Sequence, residues 1–157
     1  HELAQTISAD VQTVEKYMDL LEKAFVIFRL PSLNRNLRNE IKKSRKVYFY
    51  DNGIRNAITG NFAPFQSRQD KGALWENYFI SQRLKALSVH AGFINRYFWR
   101  THARQEIDYI EEENGRFHAY ELKWNPKKQP RFPRAFQNAY PQSTFHVIHQ
   151  DNYPDFL

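Results

Sequence analysis

Cysteine is absent from this 157-residue chain, so neither a disulfide nor a thiolate metal site can form within it. A reducing cytoplasm fits that absence. No apolar run approaches the roughly 20 residues needed to span a membrane, and no secretory signal is visible, so a soluble protein without a membrane partner is expected. Glycine and methionine are scarce, at 5 and 1 residues, and no internal repeat or low-complexity tract occurs. Several chemistries lack their signatures: there is no GxSxG, no dinucleotide fingerprint, no Walker A and no HExxH. The six histidines, His1, His90, His102, His118, His146 and His149, show no metal-ligand spacing.

What the chain does hold is apolar content, 41% hydrophobic and 16% aromatic, enough to bury a core. It also carries a net charge of +6, with a pI near 9.5, which favours an anionic partner such as nucleic acid. Residues 34–46, NRNLRNEIKKSRK, hold Arg35, Arg38, Lys42, Lys43, Arg45 and Lys46 against the single acid Glu40. NPKKQPRFPRAF, which includes Lys127 and Lys128, has four basic residues and no acid. Both segments are candidate phosphate contacts; two solvated surface segments are the alternative.

The chain opens on HELAQTISADVQ, in mid-helix, as expected of a fragment of a longer protein. Helices are expected over residues 2–7 and 11–23, the second with Val11, Val14, Met18 and Leu21 on one stripe and Ser8 or Asp10 as its N-cap. FVIFRL (25–30) and KVYFYD (46–51) are expected strands. Two helices, a ribbon and a basic connection would make residues 1–51 a winged-helix-like segment, although the second helix exposes Gln12, Glu15, Lys16 and Asp19, which is not a basic face. The alternative is helices that only pack on a neighbouring domain. Residues 52–71 read as a linker. Over 72–157 the expected order is a helix (72–87), strands at 96–101, 106–113 and 116–124, a short helix near 133–140 and a strand at 144–149. That is an α/β unit of order α-β-β-β-α-β, a mixed sheet flanked by helices. Trp75, Tyr78 and Phe79 are expected in the core or an interface, not as a base-stacking platform.

Asn114-Gly115 predicts a two-residue type I′ turn. Glu113 then pairs with Arg116, paired residue numbers add to 229, and Asp108 lies opposite Glu121 with Glu106 opposite Lys123. All four would project from one face. Carboxylates opposed at about 5 Å repel by up to roughly 1 kcal/mol. Either a divalent cation relieves that repulsion, or the face is solvated with Lys123 as the neutralising partner. On the preceding helix Ala73, Glu76, Ile80, Leu84 and Leu87 share a stripe, so Glu76 is the acid of an otherwise core-like face or reaches water at its rim.

Asp108, twelve intervening residues and then Glu121-Leu122-Lys123 resemble the PD-(D/E)XK signature of restriction-endonuclease-like nucleases. The helix bearing Glu76, then three strands, a helix and a strand, resembles the common core of that superfamily. Over most of residues 2–124 the chain is similar to the uncharacterised C-terminal domain of bacterial and archaeal AAA+ family ATPases. The stretches that carry this likeness are VEKYMDLLEKAFVIFRLP, KVYFYDNGIRNAI, GALWENYFISQRL, YFWRT, QEIDYI and ELKW. That family sets a winged-helix-like piece before a PD-(D/E)XK-like fold, usually downstream of a P-loop ATPase domain. The resemblance therefore implies an upstream AAA+ partner domain outside this sequence, and ATP used only there. Ile107 stands where the signature has proline.

The resemblance further implies that Asp108 and Glu121 ligate Mg2+ (or Mn2+), helped by the main-chain carbonyl of Leu122. Glu76 would bind that metal, its water or a second metal, and Lys123 would orient the attacking water or stabilise charge at phosphorus. The implied reaction is phosphodiester hydrolysis of DNA. Its rivals are a noncatalytic DNA-binding or regulatory module of the ATPase and a protein-docking domain.

Overall fold

Asp10 starts the first full helix of the computed structural model, which describes residue 6 and residues 8–35, 44–89 and 92–157. Its carboxylate accepts the Thr13 N–H at 3.0 Å and so caps α1 (Val11–Lys23). The helix ends at Phe25, left-handed at φ 56°, where the Val26 N–H returns to the Leu21 carbonyl at 3.0 Å. This turn leads straight into β1 (Ile27–Pro31), which pairs antiparallel with β2 (Arg45–Phe49), Ile27 facing Phe49. Arg29 of β1 reaches back to Glu15 at 3.1 Å, Asp19 at 2.5 Å and Glu22 at 2.6 Å. Glu15 and Asp19, expected on a free reading face, are thus engaged by the ribbon. The helix expected over 2–7 falls almost wholly outside the described residues, as do Arg38, Lys42 and Lys43.

Residues 52–71, expected to be a linker, contain helix α2 (Asn52–Thr59). The polar and glycine residues that read as turn signals are its caps. Asp51 accepts the N–H groups of Gly53 and Ile54 at 2.6 and 3.2 Å, and Gly60 ends the helix at φ 63°, a conformation that glycine adopts without cost. A short 3-10 turn (Phe65–Ser67) follows, and Asp70, paired with Arg55 and Arg68 at 2.8 Å, leads into α3 (Lys71–Leu87).

The sheet comprises β3 (Asn95–Arg100), β4 (Glu106–Glu113), β5 (Arg116–Leu122) and β6 (Thr144–Ile148), in that spatial order. The first two pairings are antiparallel and β5–β6 is parallel, the connection passing through α4 (Arg134–Ala139). The fold is mixed α/β, with this four-stranded mixed sheet and the two-stranded antiparallel ribbon. Asn114 and Gly115 take φ 50° and 79°, the type I′ signs, and β4–β5 pairing runs in the expected register from Glu113–Arg116 to Tyr109–Tyr120.

Strict alternation fails along β4. Between the pairs Tyr97–Ile110 and Trp99–Ile107, two residues of β4, Asp108 and Tyr109, oppose Phe98 alone. This is a β-bulge, and it changes which face each residue serves. Ile107 and Ile110 consequently belong to the same core cluster, though three apart.

Two clusters pack the two faces. On one, Trp75, Phe79 and Ile80 of α3 meet Phe98, Tyr109, Tyr120 and Ile148 of the sheet, joined by Phe28, Leu30 and Tyr48 of the ribbon. On the other, Phe136 and Tyr140 cover Trp99, Ile110, Phe117 and Ala119. The ribbon is tied to the sheet edge, the Leu33 N–H donating to the Phe98 carbonyl at 2.8 Å. The expected boundary between residues 1–51 and 72–157 therefore runs through a shared core. No helix among the described residues is long and apolar enough to cross a membrane.

Candidate active site

The bulge sets Asp108 where β4 and β5 stop pairing, and its Oδ2 accepts the Leu122 N–H at 2.9 Å. With three neighbours it forms a cluster of four carboxylates. Lys46 of β2 brings three of them together: its ammonium lies 3.1 Å from Glu76, 2.6 Å from Glu106 and 3.6 Å from Asp108. Lys123 joins the fourth, standing 2.6 Å from Glu121 and 3.8 Å from Asp108. Tyr48, next but one along β2, donates its hydroxyl to Glu76 at 2.6 Å. An open cavity of about 420 Å³ lies over this group, with Lys71, Glu76, Asp108, Lys123 and Lys128 among its lining.

The electrostatics follow from crowding. Asp108 is 9% exposed. Its burial, with Glu121 and Glu76 nearby, pushes the carboxyl up to about 6, against the pull of Lys46 and of the Leu122 N–H. Burial works against the charge on Lys46, yet Glu76, Asp108 and Glu106 hold its ammonium above the ordinary lysine range. Lys123 is likewise raised: burial opposes its charge, and Glu121 and Asp108 outweigh that. Burial and the Glu76 carboxylate raise Tyr48, keeping it a hydrogen-bond donor.

Glu76, Asp108, Glu121 and Lys123 are thus brought together from α3, β4 and β5, with Leu122 at the cavity wall. Lys46, expected among the phosphate-binding residues, instead sits inside the carboxylate cluster because alternation along β2 turns it and Tyr48 inward. Arg35 is held by Glu112, at 2.6 Å, and by the Tyr97 hydroxyl at 3.3 Å. Arg45 is exposed and 3.8 Å from Glu15. Lys127 and Lys128 are exposed on a turn where Asn125 Oδ1 accepts the Lys127 N–H at 3.0 Å. Among the described residues no group of three or more histidine, aspartate and glutamate side chains is arranged to hold a metal ion. Tyr48 and Lys71 are additions of the structure. The spacing Lys46-Val47-Tyr48 places two polar groups on one strand face, and that was the available signal for Tyr48.

Comparison with known proteins yields families without assigned function. A domain of unknown function, DUF8612, matches residues 1–64, and a second, DUF4143, matches residues 71–154. Uncharacterised proteins of Mycobacterium bovis and Mycobacterium tuberculosis are each 27% identical over 140 residues, which is 88% of this chain. The chain spans 30% of the length of those relatives. No solved structure matches it significantly. With more than half of its residues covered by that second match, the chain belongs to the DUF4143 family.

Proposed function

We propose that the Asp108 cluster is a divalent-metal site for phosphodiester hydrolysis of DNA, built on a restriction-endonuclease-like core behind a winged-helix-like segment. The observation that carries this reading is that Glu76, Asp108 and Lys123 line one open cavity, with Glu121 paired to Lys123 beside them and Asp108 buried, its carboxyl raised to about 6. A buried carboxylate that costly to ionise, standing at an open cavity, is a candidate for a functional group. The donor set is all oxygen, which suits Mg2+ or Mn2+; Asp108, Glu121, Glu76 and the Leu122 carbonyl would hold the ion only after drawing closer together than they stand here. Such a cation supplies Lewis acidity at the scissile phosphate and a more acidic bound water.

The chain's own groups define the rest. Lys46 already neutralises Glu76 and Asp108, so metal entry requires its ammonium to leave them. Lys123, anchored by Glu121, faces the same cavity and would stabilise charge gathering on the phosphoryl oxygens. Lys71 and Lys128 line the cavity and would hold flanking phosphates. The longer protein, in this reading, carries a AAA+ ATPase domain upstream that binds ATP and works with this domain in the cytoplasm.

A second reading has one observation in its favour: with Lys46 and Lys123 among four carboxylates, the cluster is also a self-neutralised ion network. It would then be a noncatalytic DNA-binding or regulatory module. Cleavage of linear, branched and single-stranded DNA in Mg2+ or Mn2+ separates the two. The nuclease reading expects cleavage that falls at least about 100-fold in folded Asp108→Asn and Lys123→Ala chains. Wild-type binding with no cleavage under any of these conditions would leave the regulatory module.

A further inference from the structure

The turn between β3 and β4, residues 101–105, leaves the sheet at the end of β4 that carries the carboxylates. A chain of contacts leads to it from the cavity. Lys123 lies 3.8 Å from Asp108, Lys46 lies 3.6 Å from Asp108 and 2.6 Å from Glu106, and Arg100 lies 3.6 Å from Glu106. Arg100 and Glu106 are Cα partners at the base of the turn. Beyond them His102 and Arg104 are exposed, and residues 95–105 hold three arginines and no acid. Arg104 has no ion pair among the described residues.

The turn is closed by its own hydrogen bonds. The Thr101 N–H donates to the Gln105 carbonyl at 2.9 Å, the Arg104 N–H to the Thr101 carbonyl at 3.0 Å, and the Gln105 N–H to the Thr101 hydroxyl at 3.2 Å. Within it Arg104 is left-handed, at φ 61°. That conformation strains most L side chains and is tolerated by glycine and asparagine. The hairpin at the other end of β4 follows this rule, with Asn114 and Gly115 at its positive-φ positions. The β3–β4 turn instead keeps an arginine where asparagine or glycine would be less strained. Outliers of this kind gather where a side chain is used.

The carboxylate cluster itself supplies the need. Four carboxylates against the ammonium groups of Lys46 and Lys123 leave it negative, so it repels an approaching phosphate. The attraction that brings a strand there has to come from cations around it. Lys71 and Lys128 line the cavity, whereas Glu106 and the turn lie outside that lining. From Arg104 to Asp108 the chain spans at most about 14 Å. One strand of a duplex advances about 3.4 Å per nucleotide, so that span covers about four nucleotides.

We propose that the turn is a phosphate clamp, in which Arg104, with Arg100 at its base, holds the nucleic-acid backbone about four nucleotides from the phosphate over Asp108. The proposal rests on the phosphodiester reading and gives its substrate an extent: a strand that continues past the cavity, not a mononucleotide or a chain end. The planar guanidinium suits this role, since its fork of donors matches phosphate oxygens.

Fluorescence anisotropy of a labelled duplex of about 20 base pairs, with the 157-residue chain in EDTA and KCl from about 50 to about 200 mM, tests this without turnover. Arg104→Asn is expected to weaken binding about three- to tenfold and to make the slope of log affinity against log salt shallower by about 1, one phosphate contact. The same variant should melt at least as high as wild type, because asparagine tolerates the left-handed turn. Weaker binding by a chain that is no less stable separates a DNA contact from damage to the fold. Arg104→Lys should keep the wild-type salt slope. Arg116, exposed beside the far turn at Asn114 and Gly115, provides the control, and Arg116→Gln should leave the slope unchanged. A wild-type chain that binds no duplex, an Arg104→Asn slope equal to wild type, an equal loss in Arg116→Gln, or an equally shallow slope in Arg104→Lys overturns the proposal. Cleavage in Mg2+ or Mn2+ with an unchanged Arg104→Asn slope would remove only the clamp. Salt-dependent binding through Arg104 with no cleavage would keep the clamp and remove the nuclease reading.

Discussion

Replacing Asp108 by asparagine should make the protein more stable at neutral pH, although it removes the central group of the proposed site. In the folded chain the Asp108 carboxyl keeps its proton up to a pH of about 6. In the unfolded chain it releases that proton near the ordinary aspartate value of about 4. Between those values the folded state binds more protons than the unfolded one, so stability falls as pH rises through that window. Below about 4 both states are protonated and nothing is lost. Above about 6 the loss is complete, and two pKa units correspond to about 3 kcal/mol. The attractions of Lys46 and Lys123 are already contained in that shift, and asparagine keeps an oxygen for the Leu122 N–H. Asp108→Asn should therefore gain about 3 kcal/mol at pH 7.5 and only about 1 kcal/mol at pH 4.5. For a chain of this size the neutral-pH gain raises Tm by roughly 6–12 °C. Thermal melts of both proteins from pH 4 to 8 in EDTA measure it. A variant no more stable than wild type at pH 7.5, or a gain independent of pH, would refute the placement of Asp108 as a buried carboxylate crowded by Glu121 and Glu76. Added Mg2+ should raise the wild-type Tm and leave the variant unmoved.

Other perturbations probe the surroundings. Lys46→Met takes the ammonium from Glu76, Glu106 and Asp108, and should destabilise by about 2–3 kcal/mol at pH 8 in EDTA. Because a cation can replace that charge, Mg2+ should restore more Tm to this variant than to wild type; equal responses would contradict a shared position for ammonium and metal. Arg83 holds Glu111, which is 3% exposed, through two contacts of 2.7 and 2.8 Å. Arg83→Leu should cost about 3–5 kcal/mol in urea unfolding, and a loss under about 1 would show that Glu111 finds another partner. Asp51→Ala removes the cap of α2 and should cost about 1 kcal/mol, with amide exchange rising first at Gly53 and Ile54.

Some of this arrangement was legible from residue order. The Asn114-Gly115 pair named its own turn and, through it, the register that brings β5 alongside β4. The stripe expected on α3 was only partly right: Ile80 is buried, but Ala73 is exposed and the buried face runs through Leu74, Trp75, Asn77, Phe79 and Ser81, with Glu76 at its margin. Other features were misread for definable reasons. Asp51 and Gly60 are caps and turn formers alike, and with only eight residues between them the loop reading prevailed over α2. The bulge at Asp108 and Tyr109 left no mark, because EIDYI carries no glycine and alternates as a regular strand would. Lys46 was read with a run of neighbouring bases, although strand alternation turns it inward.

The sequence by itself determined what depends on near neighbours: the type I′ turn, an N-cap at Ser8 or Asp10, and the register of the β4–β5 hairpin. These follow from backbone preferences and contacts within a few residues, where chain order is nearly distance. Only the tertiary structure decided that Lys46 lies among Glu76, Glu106 and Asp108, residues 30 to 62 positions away in the chain. The reason is physical. A buried charge takes whichever opposite charge packing brings within reach, and packing is settled by the shape of the whole core rather than by any one segment's pattern.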